Sequence, residues 1–332
     1  MNRIAILSNA GSGRNRHRAA LLETLDGLSE LDHRVTDRAA AVPEALTSLL
    51  ARRPAVLAVN GGDGTVQAVL TALDEVAGSE AAAGGRIPPL AVLPAGSTNM
   101  SAHDLGCGGR LADRLAALLA LRDRPPSAWA LERRAPLRVT DARGCTRSGF
   151  FFGAGTIVRG IRYWHEALAH GGGAGEWGAG AALARVAWGI ARGQPPFADA
   201  LSAHLALEDG APEPRDLSFL LVTGMRRLFL GIRPFWGPGA GPLACTWVDH
   251  RPKAFVRHLP ALLRGRGEAL AEADGYHGRR PARVTLELEE SWVIDGEIFP
   301  AAGPLRIAPG TPRDFLRLDG TPARPAAAGA GP

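Results

Sequence analysis

A chain of 332 residues with 46% hydrophobic content suits two domains better than one, each with an ordinary core. No apolar run reaches the ~18 residues of a membrane span, and the N-terminal MNRIAILSNAGSG has too short an apolar stretch for a signal peptide. A net charge of +5 suits anionic partners, whether nucleotides, acidic lipid surfaces or nucleic acid, and nucleic acid rests on charge alone. Lys253 is the single lysine among 38 basic residues, so no G-K-[ST] exists and a Walker-type P-loop is excluded. Cys107, Cys145 and Cys245 have no metal spacing and cannot all pair, which reads as a reducing cytoplasm.

Arg3 to Ser8 reads as a first strand entering the small-residue turn Asn9-Ala10-Gly11-Ser12-Gly13. Ala19, Leu22, Leu25 and Leu28 follow at helical spacing. His33 to Asp37 reads as a second strand, and Val42 to Leu50 as a helix with Pro43 near its start, where a missing N–H costs nothing. Ala55 to Val59 is a third apolar run of strand length. It enters Asn60-Gly61-Gly62-Asp63-Gly64, after which Val66, Val69, Leu70 and Leu73 recur at helical spacing. Strand, glycine turn and helix together make a phosphate site: glycine admits the backbone closely, and the first helical N–H groups lack internal partners. Asp63 would repel a phosphate unless a divalent cation or ordered water lies between them; the plainer reading is an Asx-type strand–helix turn.

A Gly/Ala linker at Ala77 to Gly85 leads to a fourth strand, Pro89 to Leu93, and to the turn Pro94-Ala95-Gly96-Ser97-Thr98-Asn99. Leu111 to Leu121 is helical in pattern. Strands alternating with helices imply a parallel α/β sheet, and turns that follow its strands gather at the carboxyl edge, where such sheets bind ligands. Around Pro125-Pro126 the pattern changes. Strand-like pieces at Leu137 to Thr140, Phe150 to Phe152, Leu201 to Leu207, Ser218 to Thr223, Arg283 to Leu288 and Trp292 to Ile294 are joined by Gly/Pro-rich connections, which suggests a mainly antiparallel second domain. One helix, carrying Ala181, Val186, Trp188 and Ile190, follows the mobile-looking run His170 to Gly175. Its Arg185 and Arg192 could touch anionic headgroups, or the helix could simply pack on its own domain. Arg133-Arg134 and Arg226-Arg227 read as solvated faces.

Asn9-x-x-Ser12-Gly13, Gly61-Gly62-Asp63-Gly64-Thr65 and Leu93-Pro94-x-Gly96-x-Thr98-Asn99, in this order and spacing, resemble the catalytic domain of the diacylglycerol kinase family, which includes sphingosine kinases and soluble bacterial lipid kinases. The likeness covers the first 125 residues or so and resumes at Trp292-Val293-Ile294-Asp295-Gly296-Glu297, which is similar to the family's late D-G-E motif. It implies an α/β nucleotide domain over 1–126, completed by 305–318, a β-rich lipid domain over 127–304, and a disordered tail from 319 to 332. It further implies ATP and Mg2+ as cofactors. Asn9 and the Ser12-Gly13 turn would hold the nucleotide, Gly61, Gly62, Asp63, Gly64 and Thr65 would cradle its phosphates, and Gly96, Thr98 and Asn99 would complete the pocket. Asp63 is the candidate metal ligand. Asp295 would be the general base, with Glu297 assisting, although Asp295-Gly296 between apolar runs is also a hairpin turn signal.

Where the family commonly has acidic residues, this chain has Met100 after Asn99 and Ala68 three positions after Thr65. Glu132 stands near the usual acidic position beyond the first domain without a fixed alignment to it, Gly153 replaces the usual Asn, and Asp104 would stand in from the helix after the third turn. The leading expectation is an ATP-dependent lipid kinase acting on diacylglycerol or a related lipid, in the cytoplasm with peripheral contact at the inner membrane face. It would not bind nucleic acid, and a homodimer is left open. A catalytically weak nucleotide- or lipid-binding regulator and an NAD-kinase-like enzyme are the alternatives.

Overall fold

The computed structural model describes residues 1–13, 15, 19–28, 31–80, 87–169, 176–301 and 303–321. The chain divides into two units, Met1–Ala135 with Thr311–Pro332, and Pro136–Gly310. In the first, β1 (Ile4–Asn9), α1 (Ala19–Gly27), β2 (Leu31–Thr36), α2 (Val42–Leu50), β3 (Val56–Gly61), α3 (Asp63–Glu80) and β4 (Leu90–Pro94) alternate as expected. The strands pair in the order β2-β1-β3-β4, all parallel. Every residue of β3 and β4 is buried, which is why they read as unbroken apolar runs: a parallel sheet covered on both faces has no polar side. The short helix α4 (Met100–Asp104), then α5 (Leu111–Leu119) and β5 (Leu131–Arg134), follow. The helix expected through Leu121 tightens to a 3-10 turn at Ala120–Asp123. The linker expected from Ala77 is helical as far as Glu80, and its remainder at 81–86 lies outside the described residues.

The second unit contains β6 (Leu137–Thr140), β7 (Thr146–Gly149), β8 (Phe151–Gly155), α6 (Thr156–Ala169), α7 (Glu176–Ala191), β9 (Leu201–Leu207) and β10 (Glu213–Thr223). It continues with β11 (Ala244–Asp249), α8 (Phe255–Arg264), β12 (Tyr276–Arg279), β13 (Val284–Leu288), β14 (Trp292–Ile294), β15 (Glu297–Phe299) and β16 (Leu305–Pro309). The strands form one antiparallel sheet in the order β15-β14-β8-β10-β9-β13-β16-β6-β7, with β11 pairing β10 and β12. Its core is built from Phe152, Leu220, Val222, Leu286, Ile294 and Ile307, and Trp292 stacks between Phe152 and Phe299. A parallel α/β sheet and a mainly antiparallel β-rich sheet are therefore both present, as expected. The run 170–175 lies outside the described residues.

The last strand, β17 (Arg313–Leu316), belongs to the first sheet, parallel to β4 and antiparallel to β5, so the complete order is β2-β1-β3-β4-β17-β5. A buried Arg313–Asp74 ion pair ties it to α3. Leu305–Pro309, by contrast, pairs within the second sheet. Beyond β17, the Asp319 carboxylate accepts a 2.8 Å bond from Arg317, so the first residues of the expected tail are held; residues 322–332 lie outside the described residues.

Candidate active site

At β1 the strand order reverses, with β2 on one side and β3 on the other. Such a reversal opens a crevice at the carboxyl ends of the strands. Ser8 stands opposite Asn60 and Asn60 opposite Leu93, so the turns after β1, β3 and β4 leave the sheet at one level. All three turns touch. The Asn9 amide donates to Thr65 Oγ1 at 2.9 Å, and its Oδ1 accepts the Gly11 N–H at 2.9 Å. Ser12 Oγ donates to the Ala95 carbonyl at 3.3 Å. Thr98 Oγ1 donates to Asp63 at 2.9 Å.

The contact between the second and third turns requires glycine at 96 and leaves little room for a side chain at 62. A β-carbon on Gly62 would lie 3.2 Å from Gly96 Cα, and one on Gly96 only 2.4 Å from Gly62 Cα. A β-carbon on Gly13 would meet Ser97 Oγ at 2.8 Å, so the first and third turns are almost as tightly apposed. Gly61 is closed over by Thr65, whose side chain would lie 2.5 Å from an added β-carbon. From Gly61, the last residue of β3, the chain passes Gly62 and enters α3 at Asp63. The Thr65 and Val66 N–H groups donate to the Gly62 carbonyl at 3.0 and 3.1 Å, and the Asp63 and Gly64 N–H groups precede these first bonds of the helix.

Asp63 has a clear local task. Its Oδ2 accepts Thr98 Oγ1 at 2.9 Å and the Met100 N–H at 3.1 Å, and its Oδ1 accepts the Ser101 N–H at 2.8 Å. It therefore caps α4 from across the site, a carboxylate satisfying the orphan donors of another helix. The Asn99 side chain has no part in that cap. Asn99 sits at the N-cap in a left-handed conformation (φ 49°), but its amide closes on its own loop, accepting the Gly96 N–H at 2.6 Å and donating to the Gly96 carbonyl at 3.0 Å. Met100, in place of an acidic residue, contributes its backbone N–H to this cap.

A buried polar ladder lies beneath the turns, and sequence reading passed over most of it. Asn60 Nδ2 donates to Ser8 Oγ at 2.9 Å, and His33 Nε2 lies 2.8 Å from the same oxygen. Asn15 Nδ2 donates to the Asn9 and Asn60 carbonyls, both at 3.0 Å. Asn15 Oδ1 and Asn60 Oδ1 are buried acceptors without a hydrogen-bond partner. Polar residues ending the apolar strands IAILSN and VLAVNG were the available signal. Burial pushes His33 below its usual value of 6.5, with Asp26 opposing. The neutral ring is the form the fold prefers, so its contribution is complete above pH 6.5 and is lost as pH falls through the depressed folded value. Chemical denaturation from pH 7.5 to 5 should show declining stability, and His33→Gln should flatten that decline; an unchanged slope would exclude His33 as its source.

The two acidic candidates for a metal network are engaged elsewhere. Arg134 donates to Asp104 at 2.7 Å and to Glu132 at 3.2 Å, and Arg317 donates to Glu132 at 2.7 Å. Their side chains are at most 10% exposed, so this alternating network is interior, and Arg134 is not a solvated residue. Asp104 ends α4 rather than beginning it, so it does not complement that helix's dipole. Among the described residues no three His, Cys, Asp or Glu side chains are grouped to hold a metal.

In the second unit, Asp295 (φ 49°) and Gly296 (φ 91°) form the two-residue loop of the β14–β15 hairpin, a type I′ geometry. The hairpin reading of this dipeptide is correct. Its carboxylate is nevertheless buried: the Phe150 N–H lies 2.9 and 3.1 Å from its two oxygens, and the Phe151 N–H donates to Oδ1 at 2.9 Å. Glu297 is exposed at the start of β15, so backbone groups rather than Glu297 hold Asp295. Gly153 is fixed by packing, since a β-carbon there would lie 2.6 Å from Ile157 Cγ2.

Residues 3–128 match the diacylglycerol kinase catalytic domain. The resemblance carried by the three turns is thereby borne out over the first unit. A protein of Bacillus anthracis str. Sterne provisionally named a diacylglycerol kinase superposes with a TM-score of 0.59 at 16% identity, covering 95% of this chain and 96% of that one. A diacylglycerol kinase from the same organism gives 0.55 at 13% identity, over 95% and 96% of the two chains. At these identities the likeness establishes a shared fold across both units. No curated protein matches the chain. No described helix is long and apolar enough to cross a membrane.

Proposed function

We propose that the chain transfers the γ-phosphoryl group of ATP to a hydroxyl of diacylglycerol or a related lipid. The supporting observation is the convergence of the three turns at the strand-order reversal, with Gly62 and Gly96 in backbone contact beside the start of α3. The residues fit a nucleotide. Within Gly61 to Thr65, the Asp63 and Gly64 N–H groups at the start of α3 would face the phosphates, Asn9, Ser12 and Gly13 wall one side, and Gly96, Thr98 and Asn99 wall the other. A cation resident on protein side chains does not fit, because Asp63 already receives three donors and, among the described residues, no acidic cluster stands beside it. Mg2+ enters this reading only as part of the Mg–ATP substrate.

Phosphoryl transfer needs positioning and charge neutralisation more than covalent chemistry. In the proposed reaction the acceptor oxygen bonds the γ-phosphorus, the bond to ADP breaks, and the hydroxyl proton passes to Asp295. The Phe150 and Phe151 N–H groups keep that carboxylate in place. Labelled γ-phosphate from ATP should move into the organic phase when diacylglycerol is offered, and not onto NAD. Transfer to NAD, or to no hydroxyl in a lipid panel, would overturn the proposal.

A further inference from the structure

The second unit carries a face whose composition differs from the rest of the chain. No Asp or Glu occurs in residues 177–198, 217–248 or 250–267. These stretches include α7 after its first residue, Glu176, together with the 3-10 turn Phe229–Gly231 and α8, and α7 packs against both of the others. The backbone joins the segments as well, because the Arg233 N–H donates to the Leu263 carbonyl at 2.8 Å. Beneath them Phe255 and Leu262 are buried with Ala187, Ile190 and Leu259 against them, so the helices are anchored from below.

Their outer side presents large apolar groups to solvent. Val256 is 65% exposed, Trp188 53% and Leu230 47%. Leu230 is held at φ 54°, a left-handed conformation disfavoured for leucine, so an awkward backbone keeps an apolar side chain in water. Exposed arginines lie on or beside the same segments: Arg192, Arg226, Arg227, Arg233, Arg257 and Arg264. The Arg192 guanidinium lies 4.3 Å from the Trp188 ring centre, an aromatic–cation pair suited to a boundary between apolar and charged layers. Arg185, by contrast, lies over the Phe197 ring with one guanidinium nitrogen buried, so it serves packing rather than this face.

We infer that the outer face of α7, α8 and the Phe229–Gly231 turn docks on an anionic lipid bilayer. Trp188, Val256 and Leu230 enter the headgroup boundary and the arginines meet lipid phosphates. This rests on the proposed lipid kinase reading and supplies its partner surface. A second copy of the chain is a poor occupant, because two faces of this composition repel. An acidic protein would use the arginines but leaves the exposed apolar groups unexplained.

The full chain should sediment with vesicles of phosphatidylglycerol mixed with phosphatidylcholine, and not with phosphatidylcholine alone, all without diacylglycerol. Binding should weaken with added salt. Trp188→Ser and the pair Arg192→Glu with Arg257→Glu should each reduce it about tenfold or more at unchanged melting temperature. If Trp188→Ser lowers the melting temperature, Val256→Asp gives the same reading from another element. Equal binding to neutral vesicles, no binding by the wild type, variants that bind as the wild type does, or a solution dimer abolished by Trp188→Ser would each overturn the inference. Transfer to a detergent-dispersed short-chain diacylglycerol reads the enzymatic proposal separately. Transfer without vesicle binding refutes only the docking face, and vesicle binding without transfer supports the face while refuting the kinase.

Discussion

Gly96→Ala is expected to lower ATP affinity by roughly 100-fold, the scale on which a displacement of about 1 Å disables a positioned site. The new β-carbon would lie 2.4 Å from Gly62 Cα, and that neighbour is backbone, so no side chain can rotate away. The turn cannot absorb the shift internally either, since Asn99 grips the Gly96 N–H at 2.6 Å and its carbonyl at 3.0 Å. Overpacking of this kind also costs about 1–3 kcal/mol of stability. Gly62→Ala should be milder, because its β-carbon would lie 3.2 Å from Gly96 Cα and a few tenths of an ångström would suffice. Calorimetric titration with ATP and thermal unfolding of both variants should therefore be graded, Gly96 worse than Gly62. Wild-type affinity in Gly96→Ala would show that the nucleotide binds elsewhere.

What was legible at the site was the identity of the turns, because glycine where two backbones meet, and small polar residues where strands end, leave a local mark. Their mutual contacts were not legible. Asp63 looked like a carboxylate in need of a cation, yet its donors are Thr98, Met100 and Ser101, some 35 residues away in sequence. Gly62 looked like a residue opened for a phosphate, whereas its nearest constraint is another glycine. Asp104, Glu132 and Arg134 were read separately; Arg134 joins the two carboxylates, and Arg317, brought back just beyond β17, extends the network.

The same division holds for the fold. β1, β3 and β4 declare themselves because both faces are buried and each opens with an unbroken apolar run. β5 (LERR), β7 (TRSG), β12 (YHGR) and β15 (EIF) are short and carry little apolar pattern; β5 and β12 are strands because distant partners supply their hydrogen bonds, and β7 and β15 because each folds back on the strand before it. β10 begins five residues before the expected Ser218, at Glu213-Pro214, where the sequence reads as a turn. α8 contains Pro260 in its interior, which argues locally against a helix; burial of Phe255 and Leu262 outweighs it.

Asp295→Asn should fail in two ways that can be measured apart. The type I′ loop itself tolerates asparagine at φ 49°, so the hairpin survives. The carboxylate is less replaceable. Its two oxygens accept the Phe150 and Phe151 N–H groups, whereas an amide has one acceptor and must turn its NH2 toward one of those donors. Losing a hydrogen bond to a charged acceptor costs about 1.5–3 kcal/mol, and for a unit of this size that is a fall in melting temperature of roughly 5 to 10 °C. If Asp295 also takes the hydroxyl proton, turnover should drop about 10²- to 10⁴-fold at a temperature where the variant remains folded, with ATP affinity unchanged. Asp295→Gly keeps the loop conformation and removes the carboxylate, so it should share the kinetic loss. Asp295→Val places a β-branched residue at positive φ and should be the least stable of the three. A variant that loses stability but retains wild-type turnover in its folded fraction would make Asp295 a clasp between the β14–β15 hairpin and β8, and the proton acceptor would have to be another carboxylate.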